Sequence, residues 1–86
     1  MDDERVQTVY EELAATGERP VERTASRWLG EAEAIAADIA HGEVDESVQR
    51  ERLEKIEHLL ENVESTGDEV ADEHVEAARE IVTELR

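Results

Sequence analysis

The apolar residues of the chain recur at intervals of three and four in four separate segments. This spacing places them on one face of an α-helix, and it predicts helices over residues 3–16, 20–41, 45–65 and 68–85. No segment alternates apolar and polar residues over a useful length, so no strand is predicted. Helices joined by short connections pack as antiparallel neighbours. The pattern therefore predicts an all-α fold, an up-down antiparallel helical bundle with three long helices and a shorter N-terminal helix.

Residues typical of helix ends lie at the boundaries of these segments. Asp45 and Asp68 are suited to N-caps, because a short carboxylate can accept from the free N–H groups of the first turn. Pro20 suits the first turn of the second helix, where its missing N–H costs nothing. Gly17 and Gly42 follow the first two segments, where a glycine commonly ends a helix.

The two aromatic residues, Trp28 and Tyr10, are the largest groups available to a core that otherwise consists mainly of Ala, Val, Leu and Ile. We expect Trp28 in the core, with Tyr10 packing against it from the first helix. If either is exposed, it becomes the first candidate for an interface, because aromatic side chains with a polar atom often anchor interfaces. The helical pattern also predicts that five apolar residues converge: Trp28, Ile35, Ile56, Leu60 and Ile81.

The charge of the chain is strongly negative and evenly spread. Twenty-five acidic residues stand against nine basic ones, for a net charge of −16, and Lys55 is the single lysine. At molar salt the Debye length is near 3 Å, so repulsion among these acids is screened, whereas at low salt it opposes folding. The composition is typical of a protein adapted to a salt-rich cytoplasm, with surface cations neutralising its exterior.

Several classes of protein are disfavoured by composition. The chain contains no cysteine, which excludes disulfides and thiolate metal sites. It has no run of about 20 apolar residues that could cross a membrane, so we expect no membrane partner. Its acidic N-terminus is unlike a signal or transit peptide, which makes a cytoplasmic location the expectation.

The three histidines are the candidates for a metal site. Glu54 and His58 share a helical face, as two ligands of a divalent ion could. However, carboxylate-bridged metal bundles need Glu-x-x-His on two helices, and this chain has none, so we expect neither a metal nor another cofactor. His74 lies on the apolar face of the last helix and could be a buried pH switch, although we favour a partly buried position at the bundle edge. His41 is interpreted as a helix C-terminal residue that interacts with the helix dipole.

One basic cluster interrupts the acidic surface. Arg19, Arg23 and Arg27 recur every four residues along the second helix. The strip could receive an acidic partner or a phosphate, although we favour ion pairing with neighbouring glutamates. Nucleic-acid binding is not expected, because it requires clustered Lys and Arg.

Catalytic motifs are absent from the sequence. It has no cysteine nucleophile, no Gly-rich phosphate loop and no Gly-x-Ser-x-Gly turn, so we do not expect an enzyme acting alone. The first hypothesis is a structural or protein–protein interaction module with an unknown protein partner, and a second copy in a homodimer is one option for that partner. The alternatives are an accessory or regulatory subunit of an enzyme and a small metal-binding protein.

Two stretches resemble known families. Residues 27–34 (RWLGEAEA), within the four-helix pattern, resemble short acidic uncharacterised proteins of haloarchaea, a resemblance that assigns no functional residue. Residues 39–48 (IAHGEVDESV) are similar to the hairpin of the exonuclease VII small subunit, where a Gly-Glu-apolar turn joins two long helices. This resemblance implies the accessory-subunit role. The chain departs from that family in its separate first helix and its full fourth helix.

Overall fold

The computed structural model describes residues 3–42 and 44–86, and this part of the chain folds into four helices. They are α1 (Asp3–Thr16), α2 (Arg23–His41), α3 (Glu46–Glu61) and α4 (Glu69–Leu85). The described residues contain no strand. The predicted all-α fold is therefore confirmed, and α1 is the shortest of the four helices, as expected.

Each helix packs on the next along the chain, and α1 closes the bundle by packing on α4. Arg5 near the start of α1 pairs with Glu84 at the end of α4. Glu12, later in α1, contacts His74 near the start of α4. The two helices are therefore antiparallel, as an up-down bundle requires. The contact between α3 and α4 is the least extensive of the four.

The core is built from Val and Leu on α1, mostly Ala on α2, Leu and Ile on α3, and Ala and Val on α4. Leu13, Leu53, Ile56 and Leu60 are its largest fully buried side chains. Because α2 contributes small side chains, Ala25, Ala32 and Ala36 among them, its backbone can approach its neighbours closely.

The second helix begins at Arg23, so the prediction that Pro20 opens it was wrong. The preceding residues are held by other bonds. The N–H of Val21 donates to the carbonyl of Arg19 at 2.8 Å, and the N–H of Glu22 donates to the carbonyl of Thr66 at 2.7 Å. The second of these bonds ties the chain to a distant connection, which explains why no helical turn forms before Arg23.

The third helix ends at Glu61, earlier than the predicted Ser65. The following connection, residues 62–68, is longer than expected because it is itself packed. Val63 turns into the core, and Thr66 is completely buried. The amide of Asn62 donates to the carbonyl of His58 at 3.0 Å, which satisfies one of the free carbonyls at the helix end.

Both predicted N-caps are confirmed. The Asp45 carboxylate accepts from the N–H of Val48 at 3.0 Å, and the Asp68 carboxylate accepts from the N–H of Ala71 at 3.0 Å. Gly17 and Gly42 follow helix ends, as predicted. Among the described residues, however, Gly67 is the glycine with positive φ, at 81°.

The expectation that Trp28 lies in the core was wrong, since its side chain is only partly buried. Leu29 and the alanines of α2 occupy the central positions, and Trp28 lies to one side of their row. Tyr10 packs its ring edge-on against His41, at a centroid distance of 4.9 Å. Ile56 and Leu60 are fully buried, whereas Ile35 and Ile81 pack on the core from its edge, as Trp28 does.

Candidate functional site

The strongest candidate site lies along the outer boundary between α2 and α3, and we call it the α2–α3 face. Trp28 and Ile35 are one heptad apart on α2, so they lie in line along the same side of the helix. Both are partly buried against the core. They leave part of the only tryptophan and of a large aliphatic side chain in contact with solvent.

The α3 side of the face is a shallow hollow of about 250 Å³, lined by Val48, Glu51, Arg52 and Lys55. Arg52 reaches across the helix boundary, and its Nη1 lies 3.5 Å from Oδ2 of Asp38 on α2. This ion pair places the hollow beside the row that contains Ile35. The two sides therefore form one continuous surface.

The face differs from the rest of the molecule in charge. Besides Trp28 and Ile35, the α2 side carries Arg27, Glu31 and Asp38, at helical steps of four and seven. The α3 side contributes Glu51, Arg52 and Lys55. Three basic residues therefore balance three acidic ones, whereas the whole chain carries a net charge of −16. A surface that is neutral, partly apolar and slightly concave is suited to binding another molecule rather than to chemistry.

The predicted arginine strip is not a continuous row. Arg19 precedes α2 and donates two hydrogen bonds to Asp68, at 2.9 and 3.1 Å. These bonds raise the pKa of Arg19 and lower the pKa of Asp68. Ion pairing between the two connections therefore explains Arg19, with an aspartate rather than a glutamate as its partner. Arg23 and Arg27 remain exposed on α2.

A polar network surrounds Thr66, and the sequence analysis missed it. The N–H and the hydroxyl of Thr66 both donate to Oδ1 of Asp72 at 2.8 Å, and these bonds hold the pKa of Asp72 below its ordinary value. Together with the bond from Glu22 to the Thr66 carbonyl, the network joins the α1–α2 connection to the α3–α4 connection. The run Ser65-Thr66-Gly67-Asp68 is rich in turn residues, which is the signal that could have revealed it. Its role is structural.

The histidines lie in three separate places. His74 is partly buried at the bundle edge, as expected, and its Nδ1 lies 2.6 Å from Oε2 of Glu12. His58 is exposed, with Nδ1 3.7 Å from Glu61 rather than paired with Glu54. His41 lies in the last turn of α2 against Tyr10. Among residues 3–42 and 44–86, no group of three His, Asp or Glu side chains is placed to hold a metal ion.

A second hollow, of about 260 Å³, opens between the start of α2 and the connection after α3. Its lining includes Glu22, Glu64 and Ser65. These are exposed polar side chains, and the lining includes no basic residue that could bind an anion. None of the helices in the described part of the chain combines the length and apolar character needed to cross a membrane.

Comparison with known proteins identifies the family of this four-helix chain. A family model described as domain of unknown function DUF8152 matches residues 5–86, and the chain belongs to this family. No curated protein and no solved structure matches the chain. The likeness of residues 39–48 to the exonuclease VII small subunit gains no support from these comparisons.

Proposed function

We propose that this protein is a protein–protein interaction module that binds its partner through the α2–α3 face. The observation that carries the proposal is the position of Trp28. The only tryptophan of the chain lies at the rim of the core rather than inside it. It is in line with Ile35 on the side of α2 that carries the Asp38–Arg52 ion pair, on a face whose charges cancel in an otherwise acidic molecule. Tryptophan is enriched among the residues that dominate interface energetics.

The proposed role does not include catalysis. The α2–α3 face presents apolar and ion-pairing side chains, and its hollow contains neither histidine nor a hydroxyl nucleophile. Binding through such a face requires only shape and charge complementarity.

The experiment compares two variants that make the same change of charge. Lys55→Glu reverses an exposed base within the face, and Arg79→Glu reverses an exposed base on α4, away from it. The tagged wild-type protein and both variants are used to capture partners, including untagged copies of the chain, at molar KCl. The proposal predicts that Lys55→Glu loses the captured partner and that Arg79→Glu retains it. Equal capture by all three proteins would contradict the proposal.

We also propose that the protein works in the cytoplasm of a salt-adapted, haloarchaeal-type cell. Its net charge of −16 and its single lysine support this, because molar salt reduces the range of charge repulsion to about 3 Å. Helical circular dichroism should strengthen between about 0.1 M and about 1 M KCl as the Debye length falls from about 10 Å. A signal independent of salt would count against salt-dependent folding.

A further inference from the structure

We infer that the partner of the α2–α3 face is a second copy of this chain, bound about a twofold axis, and that this dimer forms in response to salt. The inference rests on the proposed function and names the occupant of the same surface. It is argued from the charge of the face, the register of its two helices and its size.

The charge argument concerns repulsion between two copies. Each chain carries a net charge of −16, so most approaches bring acid against acid. The α2–α3 face is the exception, since its three bases and three acids cancel. Two copies that meet through it keep their acidic surfaces furthest apart. The remaining repulsion acts over longer distances, and salt removes it as the Debye length falls.

The register argument concerns Glu31 on α2 and Lys55 on α3. Both are exposed, and neither forms an ion pair with another described residue. The Asp38–Arg52 ion pair shows that these two residues lie at the same level along the bundle. From this level Glu31 lies seven residues back along α2, about 10 Å, and Lys55 lies three residues on along α3, about 4.5 Å. Because the two helices are antiparallel, both displacements run toward the same end of the bundle.

A twofold axis parallel to the helices would therefore complete both pairs. Such an axis lays α2 of one copy over α3 of the other and keeps each residue at its own level. Glu31 of one copy then lies about 6 Å along the axis from Lys55 of the other, a separation that two long side chains can span. The symmetry repeats the pair, as in any isologous interface. Ile35 lies level with Lys55, and Trp28 lies three residues beyond Glu31 on the same side of α2, so both become covered when the two faces meet.

The size of the molecule is sufficient for this interface. The Cα trace extends 35 by 20 Å, so the rectangle that encloses one side of the molecule measures about 700 Å². The dimer must use most of that side to approach the roughly 800 Å² that each partner buries in a standard interface. A chain with a small core also gains stability from burying further apolar surface by association.

Sedimentation and tryptophan fluorescence test the inference together. Between about 0.1 M and about 1 M KCl, the mass of the folded protein should rise from 9.7 kDa to about twice that value. Because Trp28 is the only tryptophan, acrylamide quenching reports on this face alone, and quenching should fall as the dimer forms. A monomer at every salt and protein concentration would overturn the inference, and so would a dimer that leaves the quenching of Trp28 unchanged.

A charge exchange tests the twofold arrangement. At the lowest salt that supports the dimer, Glu31→Lys and Lys55→Glu should each weaken it about three- to tenfold, because exposed pairs contribute little individually and each substitution acts twice. The effect should shrink toward molar salt, which screens these pairs. Mixing the two variants restores opposite charges at both positions, so it should produce a mixed dimer of near wild-type affinity. Arg79→Glu should leave dimerisation unchanged. Failure of the mixture to recover would overturn the arrangement.

The failure of this inference can be distinguished from failure of the proposed function. If the chain remains monomeric but captures a different protein in a way that depends on Lys55, the face is an interaction site and the second copy is not its partner. If capture is indifferent to Lys55 while the chain dimerises with no change at Trp28, both the proposed function and the inference are wrong.

Discussion

Nδ1 of His74 lies 2.6 Å from Oε2 of Glu12, and this contact joins α4 to α1 across the closing edge of the bundle. Both side chains are about one third exposed, which limits their contribution through solvent screening. Glu12→Gln and His74→Gln should each lower the free energy of unfolding by about 1 kcal/mol. Urea unfolding at molar KCl measures the loss.

The double substitution separates this contact from general effects on the helices. If the two groups act through each other, the loss in the double variant should be smaller than the sum of the two single losses. Glu76→Gln, an exposed change on α4, is the control and should have little effect. Additive losses would show that the contact contributes nothing to stability.

Asp68 should be a more important helix cap than Asp45. Both accept from the N–H groups of a first helical turn, but Asp68 also receives two hydrogen bonds from Arg19, 49 residues away along the chain. Asp68→Ala should therefore shift the urea midpoint downward more than Asp45→Ala does. Arg19→Gln should account for part of the difference. The interpretation fails if the two aspartate variants are equally stable.

Stability should fall as the solution becomes acidic, because the carboxylates of Asp45, Asp68 and Asp72 have a lowered pKa in the folded protein. All three have a pKa below the ordinary value of 3.8. The backbone N–H of Val48 lowers the pKa of Asp45, and the backbone N–H of Thr66 lowers that of Asp72. The side-chain bonds from Arg19 lower the pKa of Asp68. A carboxyl group with a lowered pKa in the folded state stabilises the protein fully above its unfolded pKa. This stabilisation is lost as the pH falls through the lower, folded-state pKa.

The pH experiment must be done at molar KCl. At low salt, protonating the many other carboxylates relieves repulsion and so opposes the loss, whereas molar salt screens that repulsion. At molar KCl the midpoint of urea unfolding should decrease below about pH 5. Asp72→Asn should flatten the profile, while Asp3→Asn, an exposed change in the first turn of α1, should not.

Two glycines should respond to alanine in opposite directions. Gly67 has φ of 81°, a conformation that costs an L-residue roughly 1–2 kcal/mol, so Gly67→Ala should destabilise the protein by about that amount. Gly30 lies within α2 with open space around the position of a Cβ, so Gly30→Ala should stabilise it by about 0.5–1 kcal/mol. Thermal unfolding at fixed salt measures both. Loss of stability in both variants would contradict the assignment of Gly30 to an open helical site.

The four helices and both aspartate caps could be predicted because each depends on residues close together in sequence. The ends of α2 and α3 could not be predicted in the same way. Helix propensity does not reveal that the N–H of Glu22 bonds to Thr66 or that Val63 turns into the core. Such tertiary bonds override local preference wherever they stabilise a different backbone conformation.

The position of Trp28 shows a second limit. Its spacing from Ala25 and Ala32 fits a core row as well as it fits the edge, and size alone favoured the core. The centre of α2 is occupied instead by Leu29, Ile39 and alanines. The candidate site was therefore anticipated only as the consequence of an exposed Trp28. The hollow that Lys55 helps to line could not be anticipated, because it depends on how α3 packs beside α2.

The hydrogen bonds around Thr66 have a consequence for how the fold is acquired. The bond from the N–H of Glu22 to the carbonyl of Thr66 attaches the turn of the first helical hairpin to the turn of the second, at one end of the bundle. Neither turn is complete until both hairpins have come together, because each supplies a donor or acceptor that the other lacks. We therefore expect assembly of the two halves to be a single cooperative event, with neither hairpin persisting as an ordered fragment alone.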